Sequence, residues 1–301
     1  MKTKQRVLVI GGISWDIIAS MERLPGPNPQ TTFAKEIHET LGSTGAGKAL
    51  NLAKLGLDVT LHGLLGEDEY GAKVRKCLSS EPLRFVYDVD PAGTERHVNL
   101  MADDGSRISI YLTHSSSEPA LDRSRLQCLI EGADIVVLNI INYCRTLIPT
   151  IRAVNKPIWC DLHDWDGEDD YHRDFVDAAD VLFFSTEAMA APKAFMAAQI
   201  DAGKKLVVGT MGKNGSLCCR ADGTWIETPA APVKKLVDTN GAGDAFFSGF
   251  LRGHLDGLAT SGCMELGARV AAACVQSTEL AHPDLNPEAF SDGSRPLLQR
   301  R

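Results

Sequence analysis

The densest chemical signal in the chain is a glycine turn followed at once by an aspartate. The segment Val237-Asp238-Thr239-Asn240-Gly241-Ala242-Gly243-Asp244-Ala245-Phe246-Phe247-Ser248-Gly249-Phe250 leaves an apolar run, passes two glycines and continues with helical spacing. A glycine-rich turn that opens a helix presents unpaired backbone N–H groups and the positive end of the helix dipole, which together hold an anion. Gly241, Ala242 and Gly243 are therefore candidates for an anion hole. Asp244 falls in the first helical turn, where it can take the proton of a hydroxyl while the amides hold a transferring phosphoryl group. The competing reading is a carboxylate that only caps the helix.

A second glycine-rich stretch, Gly42-Ser43-Thr44-Gly45-Ala46-Gly47-Lys48-Ala49, nearly spells the phosphate loop G-x-x-x-x-G-K-[ST]. Ala49 lacks the hydroxyl that would meet Mg²⁺, and Ile37-His38-Glu39-Thr40-Leu41 is a poor buried strand to precede such a loop. A P-loop nucleotide hydrolase using Gly42–Lys48 stays as a remote alternative. The acidic stretch Asp161–Asp170 includes His163 and follows a strand end, but its carboxylates read better as solvated loop residues than as a metal site. Asn139 and Asn142 are candidate rim contacts, and His62, His97 and His254 show no partner in the sequence. The eight cysteines lack metal-site spacing and read as reduced thiols, mostly buried.

These groups must be positioned by the elements around them. Unbroken apolar runs at Val7–Ile10, Val59–Leu61, Ile135–Leu138, Ile158–Cys160, Val181–Phe184 and Leu206–Val208 read as buried strands. Segments with helical spacing lie between them, at Ala46–Leu55, Ser124–Glu131, Leu147–Val154, Ala188–Ala202 and Ala242–His254. Strands that are apolar throughout and alternate with helices predict a doubly wound α/β domain, its mainly parallel sheet flanked by helices. Thr32–Thr40 and Glu95–Tyr111 instead alternate polar with apolar residues, the second around the turn Asp103-Asp104-Gly105. They predict a small antiparallel β lid. One domain over 1–301, with lid segments about 14–40 and 93–113, is the expected organisation.

Composition narrows the function classes. With 301 residues, 44% of them apolar, the chain can bury a full core. A formal net charge of −8 disfavours nucleic acid and anionic membranes as partners. No apolar run approaches the roughly 20 residues of a membrane span, and the N-terminal run is too short for a signal peptide, so a cytoplasmic enzyme acting on small molecules is expected.

The run Asp238–Phe246 resembles the C-terminal signature of the ribokinase-like, or PfkB, family of carbohydrate and nucleoside kinases. Gly11-Gly12-Ile13-Ser14-Trp15-Asp16 resembles that family's first strand and sugar-binding loop. Gly63-Leu64-Leu65-Gly66-Glu67-Asp68-Glu69-Tyr70-Gly71 is similar to its Gly-x-x-Gly-x-Asp-x-x-Gly segment, and Thr210-Met211-Gly212-Lys213-Asn214-Gly215 to its nucleotide turn. The resemblance spans nearly the whole chain. It implies an ATP-dependent sugar kinase, with a nucleoside kinase of the same fold as the alternative. It implies Asp244 as base, Asp16 at the acceptor, Thr210, Gly212, Gly215 and Asn240 at the nucleotide, and Asp238 beside a loop for a monovalent cation such as K⁺. ATP and Mg²⁺ are the implied cofactors, and a homodimer through the lid is an implied assembly.

Two departures fall on the acceptor and metal. The family usually has Gly-Gly and, five residues after the first, a hydroxyl-binding Asn; this chain has Gly42-Ser43 and Gly47. Lys48 is then a candidate contact for an anionic acceptor, a phosphosugar or sugar acid, or else a solvated helix residue. The family's Asn-x-x-Glu, which organises Mg²⁺, is replaced by Ser185-Thr186-Glu187-Ala188, so Glu187 serves only if the register shifts by one. Trp15 and Phe33 are candidates to stack on a base if the acceptor is a nucleoside.

Overall fold

Runs such as Ile135–Leu138 and Ile158–Asp161 are buried at every position, as strands covered on both faces must be. In the computed structural model, which describes residues 5–290, they form the centre of one large sheet. The strands are β1 (Arg6–Ile10), β2 (Ser14–Met21), β3 (Glu36–Gly42), β4 (Asp58–Leu65), β5 (Arg84–Val89), β6 (Arg96–Ala102), β7 (Arg107–Thr113), β8 (Ile135–Leu138), β9 (Ile158–Asp161), β10 (Val181–Ser185), β11 (Leu206–Thr210), β12 (Ser216–Arg220) and β13 (Trp225–Thr228). The helices are α1 (Thr44–Lys54), α2 (Glu69–Leu78), α3 (Arg123–Gly132), α4 (Asn142–Arg145), α5 (Ile148–Ala153), α6 (Arg173–Ala178), α7 (Pro192–Asp201), α8 (Ala242–Leu255) and α9 (Thr260–Cys274).

The main sheet runs β13-β12-β11-β10-β9-β8-β1-β4-β5. Its strands from β5 to β11 pair in parallel, and β12 and β13 add an antiparallel edge. One apolar layer packs α1 and α8 over Val9, Val137, Trp159 and Phe183; the other joins Leu8, Val136, Cys160 and Leu182 to α3, α5 and α6. The strand order reverses direction at β1, whose neighbours are β4 and β8, and the carboxyl ends beside such a reversal are where ligands bind.

The lid is a four-stranded sheet, β3-β2-β6-β7. Its outer pairs are antiparallel, while β2 and β6 at its centre run parallel. It grows straight out of the main sheet: Ser14 pairs with Gly42, so β2 leaves just beyond β1 and β3 returns directly into α1. Asp68 fixes the other hinge, accepting from Gly71 N at the start of α2 and from Thr94 N and Oγ1 ahead of β6. The Asp103-Asp104-Gly105 turn closes the β6–β7 hairpin as expected, with Gly105 N donating to Ala102 O.

Some boundaries moved. The alternating pattern over Thr32–Thr40 yields a strand only from Glu36, and Phe33 lies in the preceding loop, 83% exposed. Helical spacing over Ala188–Ala202 becomes a helix only from Pro192, which takes the first helical position after a non-helical Ala191. Both offsets arise where a pattern of apolar residues runs past the point at which backbone hydrogen bonding begins.

Candidate active site

The α8 end of the site is built as its sequence indicates. Gly241 caps the helix in the left-handed region, φ +77, a conformation that costs a side-chain-bearing residue about 1 kcal/mol or more. Ala242, Gly243 and Asp244 then form the first turn, and Asp244 is 6% exposed. Asp238 Oδ1 accepts from Asn240 N, which shapes the approach to the turn.

Helix α1 packs against α8 at Gly47. A Cβ at position 47 would lie 2.6 Å from Asp244 Oδ2, so the absence of a side chain is what lets the carboxylate lean onto α1. One residue on, Lys48 is 1% exposed. Its Nζ donates to Asp244 Oδ1 and lies 3.0 Å from Asp161 Oδ2, at the end of β9. Burial disfavours the ammonium, but the charges of Asp161 and Asp244 outweigh it and raise the Lys48 pKa. Burial likewise pushes Asp161 up, yet His163 and Lys48 bring it down to about 2.

This arrangement corrects three expectations. Lys48 is neither a solvated helix residue nor free to meet an anionic acceptor, because two carboxylates neutralise it inside the protein. Asp161 is 7% exposed and ion-paired rather than a solvated loop residue. Gly42–Lys48 is not a phosphate loop: Gly42 ends a lid strand, and Lys48 sits in the second turn of α1 with its side chain turned into the core.

On the lid side, Asp16 is 3% exposed, its carboxylate against Gly42 and Ser14. Asn99 Nδ2 donates to Asp16 Oδ2 at 3.2 Å, and Ser109 donates to Asn99 Oδ1 at 2.6 Å. His97 bridges two carboxylates, with Nδ1 3.3 Å from Asp16 Oδ1 and Nε2 3.1 Å from Glu95 Oε1. Burial disfavours charging the ring, but Asp16 and Glu95 prevail and raise its pKa from 6.5 to about 9, so it is an imidazolium at neutral pH. Among the described residues, Asp16 Oδ1 has no hydrogen-bond partner beyond this ionic contact, and Ser14 Oγ has none. Buried oxygens of this kind are rarely left unpaired, and a polyhydroxylated ligand would supply donors.

Toward the nucleotide side, Thr210 ends β11, and Thr186 N donates to its carbonyl. Gly212 and Gly215 flank the short turn that follows, with the Glu187 carboxylate against Gly212. Ser185 pairs with Thr210 at the ends of β10 and β11 and its N donates to His163 O, two residues beyond Asp161, which pairs with Phe183 at the end of β9. Arg107 of β7 reaches across from the lid, donating to Asn240 Oδ1 at 3.4 Å and pairing with Asp164 at 3.7 Å. Asn139 donates to Thr44 Oγ1 beneath the glycine loop, whereas Asn142 bonds Ser117 and Arg145.

Departure from Gly-Gly has a visible cost. Ser43 holds φ +70, ψ 154, a region nearly reserved for glycine. The residues that sequence reading missed are Glu95, just ahead of β6, and His97 and Asn99 two and four positions on, within that lid strand. Period two puts them on one face, and a run of polar residues with that spacing was the available signal.

Comparisons with known proteins give the family and the fold. Residues 4–287 match the model of the pfkB family of carbohydrate kinases. The chain is 34% identical over 270 residues to an acarbose 7(IV)-phosphotransferase of Actinoplanes sp., covering 87% of this chain and 89% of that one. It is 26% identical over 290 residues to a ribokinase of Arabidopsis thaliana, covering 90% and 76%. Among solved structures, a microbiome-derived acarbose kinase superposes with a TM-score of 0.86 at 29% identity, covering 98% of this chain and 99% of that one. The chain belongs to the pfkB family of carbohydrate kinases.

Proposed function

We propose that this protein transfers the γ-phosphoryl group of ATP to a hydroxyl of a neutral, polyhydroxylated sugar or sugar derivative, with Asp244 as base and the Gly241, Ala242 and Gly243 amides as anion hole. The observation that carries the reading is the placement of Asp244: buried, in the first turn of α8, behind a left-handed glycine that turns the helix N-terminus toward the site. The acceptor oxygen forms its bond to γ-phosphorus as the bond from phosphorus to the β,γ-bridging oxygen breaks. The hydroxyl proton passes to Asp244, the departing electron pair goes to ADP, and the amides take the charge on the transferring group.

Neutrality of the acceptor follows from the charges around it. Lys48 is consumed by Asp161 and Asp244, and the lid side presents Asp16 and Glu95 against one imidazolium, so among the described residues there each cation already has carboxylate partners. Trp15 is engaged within the lid, donating to Glu39 with Lys73 over its ring, and is not free to stack on a nucleoside base. ATP lies, in this reading, along the strand ends from Thr210, Gly212 and Gly215 to Asn240. Glu187, exposed and without an ion pair among the described residues, and Asp238 supply the carboxylate oxygens that Mg²⁺ and a monovalent cation such as K⁺ prefer. When bound, Mg²⁺ neutralises phosphate charge. A homodimer through the lid belongs to the same reading, since edge strands β3 and β7 expose Ile37, Ile108, Ile110 and Leu112. No helix among the described residues is long and apolar enough to cross a membrane.

The test is ADP release from ATP and Mg²⁺ across neutral sugars and oligosaccharides, phosphosugars, sugar acids and nucleosides. Turnover confined to neutral polyols is expected. A best substrate that carries a phosphate or carboxylate would overturn the acceptor assignment.

A further inference from the structure

Lys48 is the most deeply buried charged side chain beside the reacting carboxylate, and it has two counter-ions where one would neutralise it. From β9 and the loop after it, Asp161 and His163 face this position, with His163 Nδ1 3.5 Å from Asp161 Oδ2, while Cys160 points into the opposite apolar layer. From α8 come Asp244 and the ring of Phe247, whose centroid lies 5.3 Å from Nζ. Its own helix adds no titratable side chain before Lys54. Ligand atoms of Asp161, His163 and Asp244 approach within 4.8 Å of one another, a spacing suited to a cation, and the chain itself supplies that cation as an ammonium.

We propose that Lys48 and Asp161 are positioning residues that balance charge for the base: Lys48 holds Asp244 ready by its Oδ1, and Asp161 keeps Lys48 paired once Asp244 has taken the acceptor's proton. The inference rests on Asp244 being the base. Before transfer, the cluster carries two carboxylates and one ammonium. After the proton moves to Asp244, a neutral Lys48–Asp161 pair remains. Were Asp244 the sole partner, the same step would leave a buried ammonium uncompensated, and breaking a buried pair in that way is strongly unfavourable. Gly47 is part of the device, since any side chain there would push Asp244 off the line to Lys48. The second oxygen, Oδ2, is not engaged by Lys48 and is the one available to the acceptor hydroxyl.

The experiment is a cycle of D161N, K48M and K48M/D161N, with D244N alongside, each assayed for kcat, acceptor KM and the pH profile of kcat/KM. Equilibrium ATP binding and thermal melting report the fold. D161N is expected to lower kcat at least about tenfold, with acceptor KM within about twofold, because the pair it breaks is needed after proton transfer. K48M, which leaves two buried carboxylates side by side, is expected to move the acid limb of kcat/KM upward by at least about one pH unit. K48M/D161N, which buries no unpaired ammonium, is expected to be faster than D161N. A double variant as slow as the product of the two single losses would overturn the proposal, as would an unmoved acid limb in K48M. Should D161N fail to fold, the double variant still decides: kcat within about tenfold of wild type supports the balance, and a loss as deep as that of D244N refutes it. Retained transfer in D244N would instead remove the base assignment itself.

Discussion

Replacing His97 with Gln tests the lid side of the site through its pH dependence. In the folded protein the imidazolium is held between Asp16 and Glu95, and its pKa stands at about 9 against an ordinary 6.5. A folded pKa above the unfolded value means that protonation favours the folded state. The stabilisation is therefore complete below pH 6.5 and is lost as pH rises through about 9. At about 1.4 kcal/mol per pH unit, the raised pKa corresponds to about 3 kcal/mol, a sizeable share of the roughly 5–15 kcal/mol that holds a typical domain folded. Urea unfolding of wild type and H97Q at pH 6, 7.5, 9 and 10 measures it directly. H97Q should be the less stable protein at pH 6, and the gap should close by about 3 kcal/mol toward pH 10. A gap that stays constant within about 1 kcal/mol across that range would refute the ion-pair reading, since a histidine that merely fills space loses nothing on deprotonation.

Gly47→Ala should lower kcat by about 10²-fold or more with a modest change in melting temperature, because its Cβ would fall 2.6 Å from Asp244 Oδ2 and displace the base rather than unfold the core. Steady-state kinetics beside a thermal melt separate the two effects. Arg107→Ala should raise KM several-fold with little change in stability, since the guanidinium joins the lid to Asn240 and Asp164 across the site from an exposed position. An unchanged KM would show that the lid closes without that clasp.

Much of the fold was legible because the sheet is parallel and buried on both faces. Runs such as Ile135–Leu138 and Val181–Phe184 can be little else, and the helices between them follow from their spacing. Helix α2 and the edge strand β13 were harder to see, because half-buried elements mix apolar and polar residues without a clean period. Asp244 and its glycine turn were also legible, being local: cap, turn and first helical turn are consecutive in the chain. The Lys48–Asp161–Asp244 cluster was not, since it joins α1, β9 and α8 across separations of more than 80 residues, and no local pattern encodes which lysine turns inward. His97 lay between these cases. Its partner Glu95 lay only two positions away but went unread, while Asp16 came into reach only through the parallel pairing of β2 with β6.

The central claim is that Asp244 accepts the acceptor's proton during phosphoryl transfer. Its most direct test is the single-turnover rate of transfer from ATP to the preferred sugar for Asp244→Asn, which keeps the shape of the side chain and removes the base. The account predicts a rate lower by about 10²–10⁴-fold, with the affinity for ATP retained. Transfer within a few-fold of wild type would contradict it.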